Sequence, residues 1–432
     1  MAESQYRKVL TDNFPTEITI TVGDQSLTYR KELYAIPDEG GNPRTEGLRY
    51  GENPGQEAAL YRLVRGNLSI AGVEYIGPGK ALVSGLGDMD PNSSIMYGAR
   101  KHPSKTNLTD VDSALNVLRY LSDTPAAVIV KHNTPCGAAL GPTLYDAFSK
   151  AFEADIVAAF GGAAVVNRPL DKETAGLMAS RYMEVVAAPE YEDGAVAILS
   201  KKPDLRIFKI KNIGRIREYA HERFLDIKSL MDGGIVIQQS PLNAILKTSD
   251  FLPATCEFKG ETYSAKRAPT QAELEDLLFG WAVEQAVVSN SVLFVKDKVT
   301  VSIAGGQQDR VGVVEIAAHK ARRNLKERLC YKKHGLSFQD LEKKLAENPG
   351  LKDDLKLFEH DSESAKGGIP GSSLVSDAFF PFRDALDVAI KDGISAVVHP
   401  GGALRDWESI VAANEANPPV AMVFTNQRAF KH

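Results

Sequence analysis

An α/β fold in two halves is what this sequence predicts, and three observations predict it. Short, wholly apolar runs of strand length recur along the chain, and segments with helical spacing of apolar residues separate them. The chain is also long, 432 residues, more than one ordinary core encloses. Strands apolar at every position are buried on both faces, as in α/β proteins whose sheets are largely parallel or mixed.

The elements follow in order. Residues 1–48 read as an N-terminal appendage, with a hairpin around Gly23-Asp24 and a loop at Asp38-Glu39-Gly40-Gly41-Asn42-Pro43. Leu115, Leu118 and Leu121 share a helical face, with Thr109 or Asp110 as its cap. Ala126-Ala127-Val128-Ile129-Val130 is a buried strand. A polar turn, a helix near 143–153 and a short strand near 155–159 come next, then strands at Val185–Ala188 and Leu205–Ile210.

The second half repeats the style. Leu274, Leu277, Leu278, Trp281 and Val288 mark a long helix, followed by strands at Ser291–Val295 and Thr300–Ile303. Strands at Ala396–Val398 and Val420–Phe424 flank a helix around Asp406–Ala416. Residues of about 313–365 are charged and helix-rich, the pattern of a helical insertion. The expected partition is an appendage at 1–48, a first α/β subdomain at 49–230 and a second at 231–432, the halves meeting near residues 215–265.

Composition bounds the function. Apolar residues at 43% and charged ones at 25% are those of a globular protein, and no run of apolar residues is long enough for a bilayer. The polar start Met1–Asp12 lacks the apolar stretch of a secretory signal. Cys136, Cys256 and Cys330 form no disulfide framework and fit a reducing, cytoplasmic setting. A net charge of −5 speaks against a general nucleic-acid binder, while leaving room for an anionic small ligand held by a few local cations.

Several segments carry groups suited to chemistry. In Val130-Lys131-His132-Asn133-Thr134-Pro135-Cys136-Gly137, Lys and His follow a buried strand, where α/β folds place ligands. Pro and Gly are read here as turning the chain into the next helix. His is matched to proton transfer near neutral pH, and Lys can neutralise an anion or a developing oxyanion. The same residues also fit a polar loop start. A zinc deaminase reading of Pro135-Cys136 fails, because the required His-x-Glu and second Cys are missing. No metal site is expected.

Leu48-Arg49-Tyr50-Gly51-Glu52-Asn53-Pro54-Gly55-Gln56 is a tight loop whose Arg can fork onto phosphate. Ser289-Asn290-Ser291 sets an amide before a strand. Gly305-Gly306-Gln307-Gln308-Asp309-Arg310 brings an Arg and a helix start together as a phosphate cradle. Gly77-Pro78-Gly79-Lys80 lacks the Walker spacing. Ser376-Asp377-Ala378-Phe379-Phe380-Pro381-Phe382-Arg383-Asp384 offers aromatics for a flat ligand, or core packing. Thr425-Asn426-Gln427-Arg428 puts another Arg at a strand end.

Taken in order from Arg49 to His432, these segments resemble the transformylase half of the AICAR transformylase/IMP cyclohydrolase family. That family shows Arg-Tyr-Gly-x-Asn-Pro-His-Gln, Lys-His-x-x-Pro-x-Gly, Ser-Asn-(Ser/Ala), Gly-Gln-x-x-Arg, Ser-Asp-Ala-Phe-Phe-Pro-Phe and Thr-Asn-x-Arg-x-Phe-x-His. The resemblance implies duplicated cytidine-deaminase-like three-layer subdomains and a homodimer with active sites at the interface. It implies that the formyl group of 10-formyltetrahydrofolate, a cosubstrate, passes to the 5-amino group of AICAR, giving FAICAR and tetrahydrofolate without a catalytic metal.

By the same resemblance Lys131, His132 and Asn290 are catalytic. Arg49, Tyr50, Asn107, Glu184, Arg310, Phe379 and Arg428 hold AICAR, and Phe380, Pro381, Phe382 and Asp384 hold the folate. Two departures stand out. Gly55 replaces the family's loop His, and only 48 residues precede Arg49, fewer than an added α/β domain needs. The expectation is therefore a monofunctional transformylase of purine biosynthesis, served by a separate IMP cyclohydrolase. The alternative is a non-catalytic nucleotide- or folate-binding sensor.

Overall fold

The computed structural model describes residues 13–37, 42–53, 56–70, 73–74, 83–84 and 102–432. The expectations for Met1–Asp12, most of the Asp38–Pro43 loop, Pro54-Gly55 and Gly77–Lys80 lie outside these. The chain divides into two compact units, Met1–Ser122 with Gly161–Leu242, and Asp123–Phe160 with Asn243–His432. The expected junction near residues 215–265 contains one of these boundaries. The segment 123–160 lies in the second unit because its hairpin pairs there, Ala139 opposite Val299.

The second unit is a mixed sheet with helices. Its elements are β1 (Ala126–Lys131), β2 (Thr134–Leu140), α1 (Leu144–Ala154), α2 (Gln271–Glu284), β3 (Val292–Lys296), β4 (Val299–Ala304), α3 (Arg310–His334), β5 (Ser373–Ser376), α4 (Asp384–Asp392), β6 (Ala396–His399), α5 (Asp406–Glu415) and β7 (Ala421–Phe424). The strand order is Leu252–Pro253, β7, β6, β5, β3, β4, β2, β1. The pairs β5–β6 and β6–β7 are parallel, and β3 runs antiparallel to both β4 and β5.

Central strands are mostly apolar because helices bury them, though Thr300, Ser302, Ser373, Ser376 and His399 are buried in them too. Phe294, Leu374, Phe380, Leu386, Val397 and Ile410 meet in one core. Each such side chain contributes about 1.5–3 kcal/mol. Gly280 lets α2 approach, since a Cβ there would lie 2.6 Å from a Val375 methyl. The helical insertion is present as α3, Phe338–Lys343 and Leu351–Ser364. Asp309 caps α3 by accepting from the Gly312 N–H, and Gly335 (φ +67) ends it after a basic last turn.

The first unit has a parallel run of Ala163–Val166, Val185–Ala188 and Arg206–Ile210, edged by antiparallel Val83–Ser84. The Gly23-Asp24 hairpin joins Glu17–Val22 to Gln25–Lys31 as expected, with Gly23 at φ +61. Among the described residues no helix is long and apolar enough to cross a membrane.

Three local expectations are corrected. The helix bearing Leu115 and Leu118 starts at Lys105, capped by Ser104 and not by Thr109 or Asp110. Ser104 and Asn107 close a reciprocal capping box that outcompetes the later positions. The segment near 155–159 is a helical turn, because Asp155 Oδ1 accepts the Ala158 N–H at 2.9 Å; the strand comes later, at Ala163–Val166. Pro135 and Gly137 do not turn the chain into a helix. They lie inside β2, and the reversal comes earlier, at His132-Asn133.

Candidate active site

The reversal is a two-residue hairpin turn. Lys131 pairs with Thr134, and His132 and Asn133 between them have φ of +57 and +62. Two successive left-handed residues are the pattern of a type I′ turn, whose twist suits the flanking strands. Asn and His are among the few non-glycine residues found there with any frequency. The turn leaves the His132 side chain exposed at the end of a strand whose preceding five residues are buried. Lys131 is half-buried and its Nζ donates to the Phe160 carbonyl at 2.6 Å.

Gly137 serves packing. A Cβ there would fall 2.0 Å from the Ala151 carbonyl of α1. Cys136 sits at the register shift of β2, its thiol pushed up to about 12 chiefly by burial, and it is inert beside the turn.

Asn290 lies where α2 hands over to β3. Its Nδ2 donates to the Gln307 carbonyl at 2.9 Å, and its Oδ1 accepts from Arg310 at 2.6 Å. Arg310 is buried and also donates to Asp377 Oδ1 (2.6 Å), Ser376 Oγ (3.0 Å) and the Ser291 carbonyl (3.0 Å). Asp377 in turn accepts from the Ser291 N–H and the Ser289 hydroxyl. The expected phosphate cradle at this helix start is thus already filled, its Arg by Asp377 and its N–H by the Asp309 cap. Next to the pair, Glu284 accepts from Ser291 Oγ at 2.9 Å, and burial with the Asp377 charge pushes its carboxyl well above the usual range.

The aromatic run is split. Phe380 is fully buried in the core, edge-on to His399, which removes it from the ligand surface expected of it: its ring is spent on packing. Pro381, Phe382 and Asp384 are exposed, with Asp384 at the first turn of α4. Arg405 lies over the Phe382 ring at 5.1 Å, and the exposed Arg428 lies over Phe379 and Phe430 at 5.3 and 5.6 Å.

In the first unit, the loop at Arg49-Tyr50 is laid along the start of the Lys105–Leu118 helix. Arg49 N–H donates to the Pro103 carbonyl, and Lys105 N–H donates to the Tyr50 carbonyl, both at 3.0 Å. Asn107 Nδ2 donates to Glu184 Oε2 at 3.4 Å, and Arg206 lies 3.8 Å from the same oxygen. Arg49 and Arg206 are both buried, and the nearby Arg49 charge adds to burial in disfavouring the Arg206 cation. Two buried guanidiniums thus lie with the half-exposed Glu184 carboxylate at a helix start, and the Asp204 charge also acts on Arg206.

Sequence reasoning passed over Arg206, Asp377, Glu284 and His399. His399 ends β6 before Pro400, as His132 follows β1, so the strand-end pattern flags both. It is wholly buried, accepts from the Gly401 N–H at 3.1 Å, and is held near pKa 3 by burial and by the Arg310 charge. Among the described residues no group of His, Cys, Asp and Glu gathers as a metal site.

Comparison with known proteins identifies the family. The AICARFT/IMPCHase bienzyme model matches residues 25–320. The bifunctional purine biosynthesis protein PurH of Persephonella marina is 36% identical over 403 residues, 92% of this chain and 62% of that protein. PurH of Caldicellulosiruptor saccharolyticus is 33% identical over 385 residues, 89% and 59% of the two chains. PurH of Anaeromyxobacter sp. strain Fw109-5 is 35% identical over 410 residues, 94% and 62%. The chain therefore spans about 60% of these relatives' length. With most of its length matched by the family model, the chain belongs to the AICARFT/IMPCHase bienzyme family.

Proposed function

We propose that the chain transfers the formyl group of 10-formyltetrahydrofolate to the 5-amino group of AICAR, giving FAICAR and tetrahydrofolate, a step of purine biosynthesis. The observation that carries this reading is His132, an exposed imidazole on a fixed turn directly after Lys131. The AICAR amine is a poor nucleophile, conjugated with its ring and carboxamide. His132 takes its proton as the amine attacks the formyl carbon, adding about 10²–10⁴-fold. The bond from the formyl carbon to N10 then breaks, and a proton passes to N10 of the departing tetrahydrofolate.

Lys131 and Asn290 stabilise the tetrahedral oxyanion. Each has the donors to do so, since the ammonium uses one hydrogen on Phe160 and the amide one on Gln307. Arg49, Tyr50, Asn107, Glu184, Phe379 and Arg428 are assigned to the nucleotide. Pro381, Phe382 and Asp384 are assigned to the folate, whose flat ring suits the exposed Phe382 face. Arg310 acts in this reading by holding Asn290. The duplicated, cytidine-deaminase-like layering of subdomains 49–230 and 231–432 and a homodimer with active sites at the interface belong to the same proposal, and light scattering measures the dimer.

Mixing the protein with AICAR and 10-formyltetrahydrofolate should release tetrahydrofolate. His132→Ala should lower kcat by at least about two decades with modest change in AICAR affinity. Near-normal turnover in that variant would sink the assignment. Ring closure of the product is not part of this proposal, and an IMP readout in the same assay measures it separately.

A further inference from the structure

The last residues of the sequence lie across the segments that carry the chemistry of the second unit. Ala429 N–H donates to the Asp377 carbonyl at 3.0 Å, and the Lys431 carbonyl accepts from Ser289 N–H at 2.9 Å. The Lys431 ammonium donates to the Asn133 carbonyl at 2.9 Å and to the Ala286 carbonyl at 3.0 Å. One short stretch of chain thus touches the turn bearing His132, the end of α2, the approach to Asn290, and Asp377.

The ammonium sits well by two separate criteria. Ala286 lies one residue past Gln285, the C-cap of α2, where the helix presents the negative end of its dipole and favours a cation. Asn133 is the second left-handed residue of the turn, and its carbonyl lies at the tip, beyond the Lys131–Thr134 pair that closes the ladder. A charged donor shared between these two carbonyls makes stronger hydrogen bonds than a neutral one. The half-buried Lys431 side chain is thereby a tie between a helix end and a turn tip.

We propose that Lys431 is a positioning residue for His132. Its ammonium fastens the Asn133 carbonyl to the end of α2, which fixes the turn and with it the direction from which the imidazole meets its proton. The inference rests on the assignment of His132 as proton acceptor, and it adds a residue that acts through the turn. Tethering only one of the two turn residues leaves the His132 side chain itself accessible, as the reaction requires.

The test compares wild type with Lys431→Met and Lys431→Arg in the full chain. Backbone amide exchange over residues 131–134 should be about tenfold faster in Lys431→Met, as expected for losing a charge-assisted hydrogen bond. Lys431→Arg should restore it. The kcat for formyl transfer should fall about tenfold with KM for AICAR within about twofold. The pH midpoint on the acid limb of kcat/KM should move in Lys431→Met and return in Lys431→Arg, which a change in stability alone would not produce. Exchange and kcat both equal to wild type in Lys431→Met would overturn the proposal. If Lys431→Met does not fold, the same comparison is read from Lys431→Gln. If wild type shows no formyl transfer, the functional reading falls, and the exchange rates alone decide the tie.

Discussion

Each unit buries an arginine beside acidic groups, and the two are satisfied to different degrees. Arg310 meets Asp377, Ser376, Ser291 and Asn290 at 2.6–3.0 Å, so its charge is matched and both terminal nitrogens are engaged. Arg206 meets the Asp204 carbonyl at 3.1 Å and Glu184 only at 3.8 Å, its Nε has no partner, and Arg49 adds a like charge. The first is a closed structural network. The second is loosely paired, with Glu184 at 3.8 Å and the Asp204 charge nearby. Two residues of one type, equally buried, thus take opposite parts, decided by the acceptors around them.

The comparison can be broken most directly at Arg310. Arg310→Met leaves Asp377 buried without its counter-ion and should cost about 3–5 kcal/mol in urea unfolding. A loss below about 1 kcal/mol would show that the network is not closed as described.

A smaller effect is expected in the pH dependence of the same neighbourhood. His399 is held near 3 in the fold, by burial and then by Arg310, against an ordinary value of 6.5. The unfolded chain therefore takes up a proton between pH 6.5 and 3 that the folded chain refuses. Stability falls as pH drops through that window, by about 2 kcal/mol at pH 5 from this group. His399→Gln should remove that part of the slope in thermal unfolding from pH 7 to 5; an unchanged slope would rule it out.

The smallest stability effect belongs to Arg206. Arg206→Met should alter unfolding free energy by no more than about 1 kcal/mol, because it removes a poorly matched charge. AICAR binding by calorimetry should weaken about tenfold or more. A stability loss as large as that of Arg310→Met would erase the contrast between the two clusters.

Much of the architecture is legible in the sequence, because short apolar runs and helical spacing report burial on their own. Ala126–Val130, Val185–Ala188 and the charged helical insertion all fall where periodicity puts them. The hairpin turn is not legible in the same way. His132-Asn133 lacks the Gly that usually marks a two-residue reversal, and Pro135 and Gly137 draw attention to the wrong place. Caps at Ser104 and Asp155 are visible only once a side chain is seen to reach three residues forward.

The site residues divide along the same line. His132 stands exposed because its position follows from one local turn. That Arg310 is consumed depends on Asp377, distant in sequence, and no local pattern reports that pairing. Phe380 and Phe382 look equivalent in a run of aromatics, yet one is core and the other surface. Only the packing of neighbouring strands and helices separates them.

The turn also limits what evolution or design could place at position 132. Its left-handed backbone admits a short alphabet of Gly, Asn, Asp and His at little strain, and only two of those can accept a proton from an amine in water. Chain geometry and acid–base chemistry therefore select the residue jointly. Aspartate is the one exchange that would keep the reversal intact while replacing imidazole with a base of much lower intrinsic strength.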